Sequence, residues 1–163
     1  MKKINILIST FLGYGYLTKM PGTVASLVTT IFIYIAYEYL GYTDLRFSII
    51  FFVIIFFYSF YAVKDSESEF VNKDPRQIVI DEVLGQSMPL ILLLHLNQTN
   101  QISMQIEIYY IISFFVFRFF DIFKPFPVSY FDKNFKNYFG IIMDDVMAGF
   151  YTILVIYLIS LKF

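Results

Sequence analysis

The chain has 163 residues, of which 58% are hydrophobic and 15% charged, and its mean hydropathy of +0.67 lies outside the soluble range. This composition indicates one integral membrane domain over residues 1–163. The formal net charge of −1 excludes a nucleic-acid-binding protein, and the absence of cysteine excludes disulfides, thiol nucleophiles and thiolate metal sites.

Five apolar helices are predicted in chain order, each about 17–21 residues long, which suits a hydrocarbon core of about 30 Å. They cover residues 24–40, 47–63, 76–96, 102–120 and 141–161. The expected fold is therefore an all-α integral membrane bundle. Residues 4–12 form a further apolar segment without a small-residue cleavage site, so they are expected to be retained as an interfacial or half-buried helix.

Polar residues predict where some of these helices begin and end. Thr23 follows a glycine-rich loop and is expected to cap the first of the five helices. Asp74 and Pro75 are expected as the cap and the first residue of the third. Residues 129–140 read as a polar loop.

Lysine and arginine residues predict the orientation. With the N-terminus in the cytoplasm, all but two of the 12 lie on the cytoplasmic side, the exceptions being Arg46 and Lys162. The C-terminus then lies outside, and four distant polar stretches share the cytoplasmic face. These stretches are residues 13–23, 81–82, 121–124 and 144–145.

Two pairs of adjacent carboxylates, Asp81 with Glu82 and Asp144 with Asp145, each begin an apolar stretch. A carboxylate at the centre of a membrane helix costs about 2.5–3.5 kcal/mol even on a lenient scale, so four suggest a shared cation. Hard oxygen ligands favour Mg²⁺. Because neighbouring helical residues point about 100° apart, one acid of each pair is expected to bind the metal and the other to support it.

Small residues follow each acid pair. Gly85 lies four residues after Asp81, and Gly149 lies four residues after Asp145. Glycine on the same helical face as each acid predicts a close approach of the third and fifth helices.

Candidate phosphate ligands surround the acids. Arg118 suits bidentate contact with phosphate oxygens, and Lys124 adds a second charge. Gly22 and Thr23, at the start of a helix, offer backbone amides to an anion. Arg118 and Lys124 also fit a plain role as topology anchors, and the glycine–proline loop a role as a connector. Taken with the acids, these residues favour phosphoryl chemistry on a lipid.

Four stretches of the chain resemble, in order, the motifs of the phosphatidylglycerophosphatase A family. They are GYGYLTKMPGTVASL (13–27), DPRQIVIDEVLGQ (74–86), FRFFDIFKPFPV (117–128) and GIIMDDVMAG (140–149). The resemblance implies a helical, Mg²⁺-dependent phosphatase of the bacterial inner membrane that converts phosphatidylglycerophosphate to phosphatidylglycerol. It places the acidic site residues on Asp81, Glu82, Asp121, Asp144 and Asp145, with Lys124 beside them.

Two other functions use the same residues. A small cation carrier or channel subunit would line a path with the carboxylates, although such a path needs polar groups through the whole depth of the membrane. A different lipid-headgroup enzyme is the second, but the D-x-x-D-G motif of CDP-alcohol phosphatidyltransferases is absent. The expected partner is a membrane phospholipid as substrate, and an oligomer is possible but not predicted.

Overall fold

The computed structural model describes residues 2–66, 69–70, 75–102 and 104–162. Its regular structure is helical, with no strand among these residues. The helices are α1 (Lys2–Ser9), α2 (Pro21–Tyr34), α3 (Leu45–Ser66), α4 (Ile80–Gln98), α5 (Ile106–Phe123), α6 (Val128–Asn134) and α7 (Tyr138–Lys162), with a 3₁₀ turn at Tyr14–Tyr16 and a π-helical turn at Ile35–Tyr39. The predicted all-α class is confirmed.

The five predicted apolar helices correspond to α2, α3, α4, α5 and α7, and the predicted N-terminal helix corresponds to α1. The prediction of an unbroken polar loop over 129–140 was wrong, because α6 occupies its first half. Pro127 precedes α6 at its N-cap position, where a missing amide costs nothing. Proline is therefore compatible with a helix start at this position.

Two predicted helix starts also differ from the structure. Thr23 lies inside the first turn of α2 and is not its cap, because Pro21 already occupies the first helical position. Pro75 lies before α4, which begins at Ile80. The amide of Val79 donates to the carbonyl of Ser9 at 2.9 Å, so this segment is tied to the N-terminal turn. Asp74, the predicted cap, lies outside the described residues.

Helices α4 and α7 share the most extensive contact in the bundle. A Cβ atom on Gly85 would lie 2.5 Å from the carbonyl oxygen of Asp145, and one on Gly149 would lie 2.6 Å from the carbonyl oxygen of Gly85. Only glycine permits so close an approach of the two backbones. The predicted close contact between these helices is confirmed, and it brings the two acid-bearing helix starts together.

Two of the described helices are long and apolar enough to cross a membrane, Leu45–Ser66 with a mean hydropathy of 2.0 and Tyr138–Leu161 with 1.8. The first exposes large apolar side chains, among them Phe57 at 68% and Ile54 at 59%. The other three predicted crossings stay predictions.

Candidate active site

A cavity of about 350 Å³ lies at one end of the bundle. It forms where α2, α4 and α7 begin and where α5 ends. Every residue predicted for the site lines it: Gly22, Thr23, Asp81, Glu82, Arg118, Asp121, Lys124, Asp144 and Asp145. Four stretches that are distant in sequence therefore meet in one place, while the role of each residue stays a prediction.

Three carboxylates form the innermost group. One oxygen from each of Asp81, Glu82 and Asp145 lies within 4.8 Å of the other two. Asp145 is 3% exposed and Asp81 is 9% exposed. The close contact of α4 with α7 places these side chains together. Carboxylate oxygens are the ligands that Mg²⁺ prefers, so the donor set fits this ion.

Asp144, the fourth predicted metal ligand, has different partners. Its Oδ2 accepts a hydrogen bond from Lys124 Nζ at 2.6 Å, and its Oδ1 accepts one from the backbone amide of Asp145 at 3.0 Å. The two adjacent acids of α7 thus differ in their contacts, as their different directions on the helix predict. On α4, by contrast, Asp81 and Glu82 both join the three-carboxylate group.

Lys124 links α5 to both α6 and α7. It ends α5 in a left-handed conformation with a φ of 44°, and its Nζ donates to Asp132 Oδ1 at 2.8 Å as well as to Asp144 Oδ2 at 2.6 Å. Burial would lower the pKa of Lys124, but the two carboxylates outweigh burial and raise it above 10.5. The ammonium group is therefore held charged between two acids.

Arg118 lies one turn before the end of α5. Its Nη1 is 2.5 Å from Asp121 Oδ2, and the two side chains are 14% and 12% exposed. The Nε of Arg118 is buried and has no hydrogen-bond partner among the described residues. Arg118 thus lines the cavity with a guanidinium that is ion-paired with Asp121.

The first turn of α2 packs directly on Glu82. A Cβ atom on Gly22 would overlap the Oε1 atom of Glu82, so a larger residue here would displace the end of the Glu82 side chain. The positive end of the α2 dipole therefore faces a carboxylate of the protein itself. Phosphate binding by Gly22 and Thr23 stays a prediction.

The sequence profile described as Phosphatidylglycerophosphatase A matches residues 7–160, which is nearly the whole chain. The chain belongs to this family.

Of three named relatives, two carry the name of this family, and the third carries a different name. Phosphatidylglycerophosphatase A of Haemophilus influenzae is 33% identical over 165 residues, covering 98% of this chain and 94% of the relative. The protein of that name from Escherichia coli is 27% identical over 154 residues, covering 94% and 82%. A Bacteroides thetaiotaomicron protein, provisionally named a phosphatidylinositol-3-phosphatase, is 34% identical over 154 residues, covering 94% and 91%. No solved structure matches the chain.

Membership of the phosphatidylglycerophosphatase A family and the two long apolar helices together indicate a membrane-associated protein.

Sequence reasoning missed four charged residues that line the cavity: Lys19, Arg76, Asp132 and Lys136. The three cations were assigned only to membrane orientation, and Asp132 lies in α6, which was not predicted. The one signal in the sequence is their position, since Lys19 and Arg76 lie inside recognised motifs and Asp132 and Lys136 lie within a few residues of one.

Proposed function

We propose that this protein is a phosphatase that hydrolyses the terminal phosphomonoester of phosphatidylglycerophosphate. Water supplies the oxygen that becomes bonded to phosphorus, and the bond between phosphorus and the glycerol oxygen breaks. A proton from that water goes to the glycerol oxygen, and phosphatidylglycerol and inorganic phosphate are released. The observation that carries the proposal is the gathering of all predicted motif residues around one cavity in a chain of this family.

Mg²⁺ is the proposed cofactor, with Asp81, Glu82 and Asp145 as the residues that would hold it. Support comes from the mutual distances of 4.8 Å or less among their oxygens. When bound, the ion would neutralise phosphate charge and polarise the phosphomonoester.

The chain's own cations have separate tasks in this proposal. Arg118 donates to phosphate oxygens through the part of its guanidinium that Asp121 does not occupy. Lys124, fixed by Asp132 and Asp144, holds a positive charge at the cavity wall where negative charge gathers in the transition state. Asp144 acts indirectly in this proposal, because it positions Lys124 at the cavity wall.

The test is phosphate release by protein purified in detergent, measured with Mg²⁺ and with EDTA. Asp145→Asn should lower the rate by about 100-fold or more, the scale of loss of a key electrostatic group. Asp44→Asn is a matched control, because Asp44 accepts the Phe47 amide at the start of α3 and asparagine also caps helices well. No phosphate release by folded wild-type protein would contradict the phosphatase function. Full activity in EDTA would contradict the requirement for Mg²⁺.

The same assay should include phosphatidylinositol 3-phosphate as a second substrate, because one relative carries the provisional name of a phosphatidylinositol-3-phosphatase. Both lipids carry a phosphomonoester at the outer end of the headgroup. A higher kcat/KM on the glycerol lipid is expected.

We also propose that the protein spans a bacterial inner membrane several times with the cavity on the cytoplasmic face. The support is the concentration of lysine and arginine at the cavity end of the bundle.

A further inference from the structure

The cavity contains two groups of cations that differ in position and in partners. Arg118 and Lys124 form the inner group, with side chains 14% and 30% exposed, and each is bound to a carboxylate. Lys19, Arg76 and Lys136 form the outer group, and all three are exposed at the cavity wall. Among the described residues, only the inner group has carboxylate contacts of 2.8 Å or less.

The outer cations come from three separate segments. Lys19 precedes α2, Arg76 precedes α4, and Lys136 lies between α6 and α7. The carboxylate contact of Lys136 is long, since its Nζ is 3.8 Å from Asp132 Oδ1, and its side chain is 59% exposed. An orientation signal requires only that cations lie on one side of the membrane. It does not require three of them to surround one cavity.

The proposed substrate carries two phosphates. Its outer phosphate is the monoester that is hydrolysed, and a phosphodiester joins the intervening glycerol to diacylglycerol. The acyl chains stay in the lipid, so a headgroup that places its monoester at the carboxylates must place its diester towards the cavity mouth. A volume of about 350 Å³ accommodates such a headgroup, being near the lower limit of roughly 300 Å³ for ligand pockets.

We infer that Lys19, Arg76 and Lys136 form a second anion subsite, which binds the phosphodiester of the lipid. The inference rests on the proposed function, since it assumes that the monoester lies at the inner group. An anion at the mouth has three exposed cations to pair with, whereas the inner cations are already paired with carboxylates. The subsite makes the enzyme selective for headgroups that carry a diester as well as a monoester.

Competitive inhibition by two water-soluble compounds tests this subsite. One is the deacylated substrate, glycerophosphoglycerol phosphate, and the other is glycerol 3-phosphate, which has the same reacting end without the diester. In the wild-type protein the first should have the lower Ki. Three variants remove one outer cation each: Lys19→Gln, Arg76→Gln and Lys136→Gln. Each should raise the Ki of glycerophosphoglycerol phosphate by about fivefold, the scale for an exposed charge pair with an anion. The Ki of glycerol 3-phosphate should change by less than about twofold, because it lacks the diester.

The matched control is Lys133→Gln, an exposed lysine on α6 that does not line the cavity. It should change neither Ki. Equal inhibition by the two compounds in the wild type would overturn the subsite, and so would an equal loss for both in the outer-group variants.

Failure of the proposed function gives a different result. In that case the wild-type protein releases no phosphate from the lipid, and calorimetric binding of the two soluble compounds replaces inhibition. Tighter binding of the diester compound that is lost in the three variants still supports the anion subsite, and indistinguishable binding overturns it.

Discussion

Lys124 is the residue through which three helices are joined electrostatically at the cavity. Its pKa lies above 10.5 in spite of burial, because of Asp144 and Asp132, so its stabilising effect is complete below pH 10.5 and is lost as pH rises through the folded value. The pKa of Asp132 lies below 3.8. Burial would raise this pKa, but the hydrogen bond and the charge of Lys124 lower it by more. The stabilising effect of Asp132 is complete above pH 3.8 and is lost as pH falls through the folded value.

Asp132→Asn tests this bridge. The variant should lose at most about 1 kcal/mol of unfolding free energy at pH 7, because exposed ion pairs are screened and these side chains are 30% and 27% exposed. The deficit should shrink below pH 3.8, where the wild-type carboxylate becomes protonated. Phosphatase activity should fall on the order of tenfold, as for residues that orient a site group.

Unfolding in detergent at pH 7 and at pH 3, beside phosphate release, measures these effects. A deficit that is equal at both pH values would contradict an ionic role for Asp132.

Residue type and motif order were sufficient to predict that the acids lie together, because carboxylates in an apolar chain need a compensating partner. They were not sufficient for Asp132 or for the outer cations. Asp132 reaches the site only because Lys124 adopts a left-handed conformation and α6 folds back beside it. A lysine that lines a cavity and one that faces solvent look the same in sequence.

At the scale of elements, helix positions follow from apolar length, whereas helix ends depend on local competition. α2 begins earlier than predicted because Pro21 suits a first helical position better than Thr23 suits a cap. α4 begins later because the segment before it bonds to the N-terminal turn through Val79 and Ser9. That tertiary hydrogen bond has no local sequence signature.

The contact of α4 with α7 should be the element pair on which the site depends most. Gly→Ala inside a helix normally stabilises by roughly 0.5–1 kcal/mol, but a methyl group on Gly149 would meet the backbone of Gly85. Gly149→Ala should therefore destabilise the protein by about 1–3 kcal/mol, as overpacking does. It should also separate the carboxylates and lower both activity and Mg²⁺ affinity.

Thermal unfolding and Mg²⁺ titration of Gly149→Ala measure these effects. Ser160→Ala, a change at a half-buried serine near the other end of α7, is the control and should alter neither quantity. A Gly149→Ala variant that is more stable than wild type with unchanged activity would contradict the role of the close contact.

At the scale of the whole molecule, charge and apolar surface are separated. The cavity end carries the acids and their cations, whereas α3 presents exposed phenylalanine and isoleucine over much of its length. Thr43 lies at the opposite end, where its carbonyl accepts a hydrogen bond from Gln98 at the end of α4. A bundle with this polarity predicts that the two ends face different compartments, with the cation-rich end in the cytoplasm.

The absence of cysteine makes this orientation directly measurable. Lys133→Cys marks the cavity end and Thr43→Cys marks the other, both at exposed positions. In intact spheroplasts a membrane-impermeant maleimide should label Thr43→Cys, and it should label Lys133→Cys only after permeabilisation. The reverse pattern would place the cavity outside the cytoplasm, and labelling of both in intact cells would contradict the separation of the two ends by a membrane.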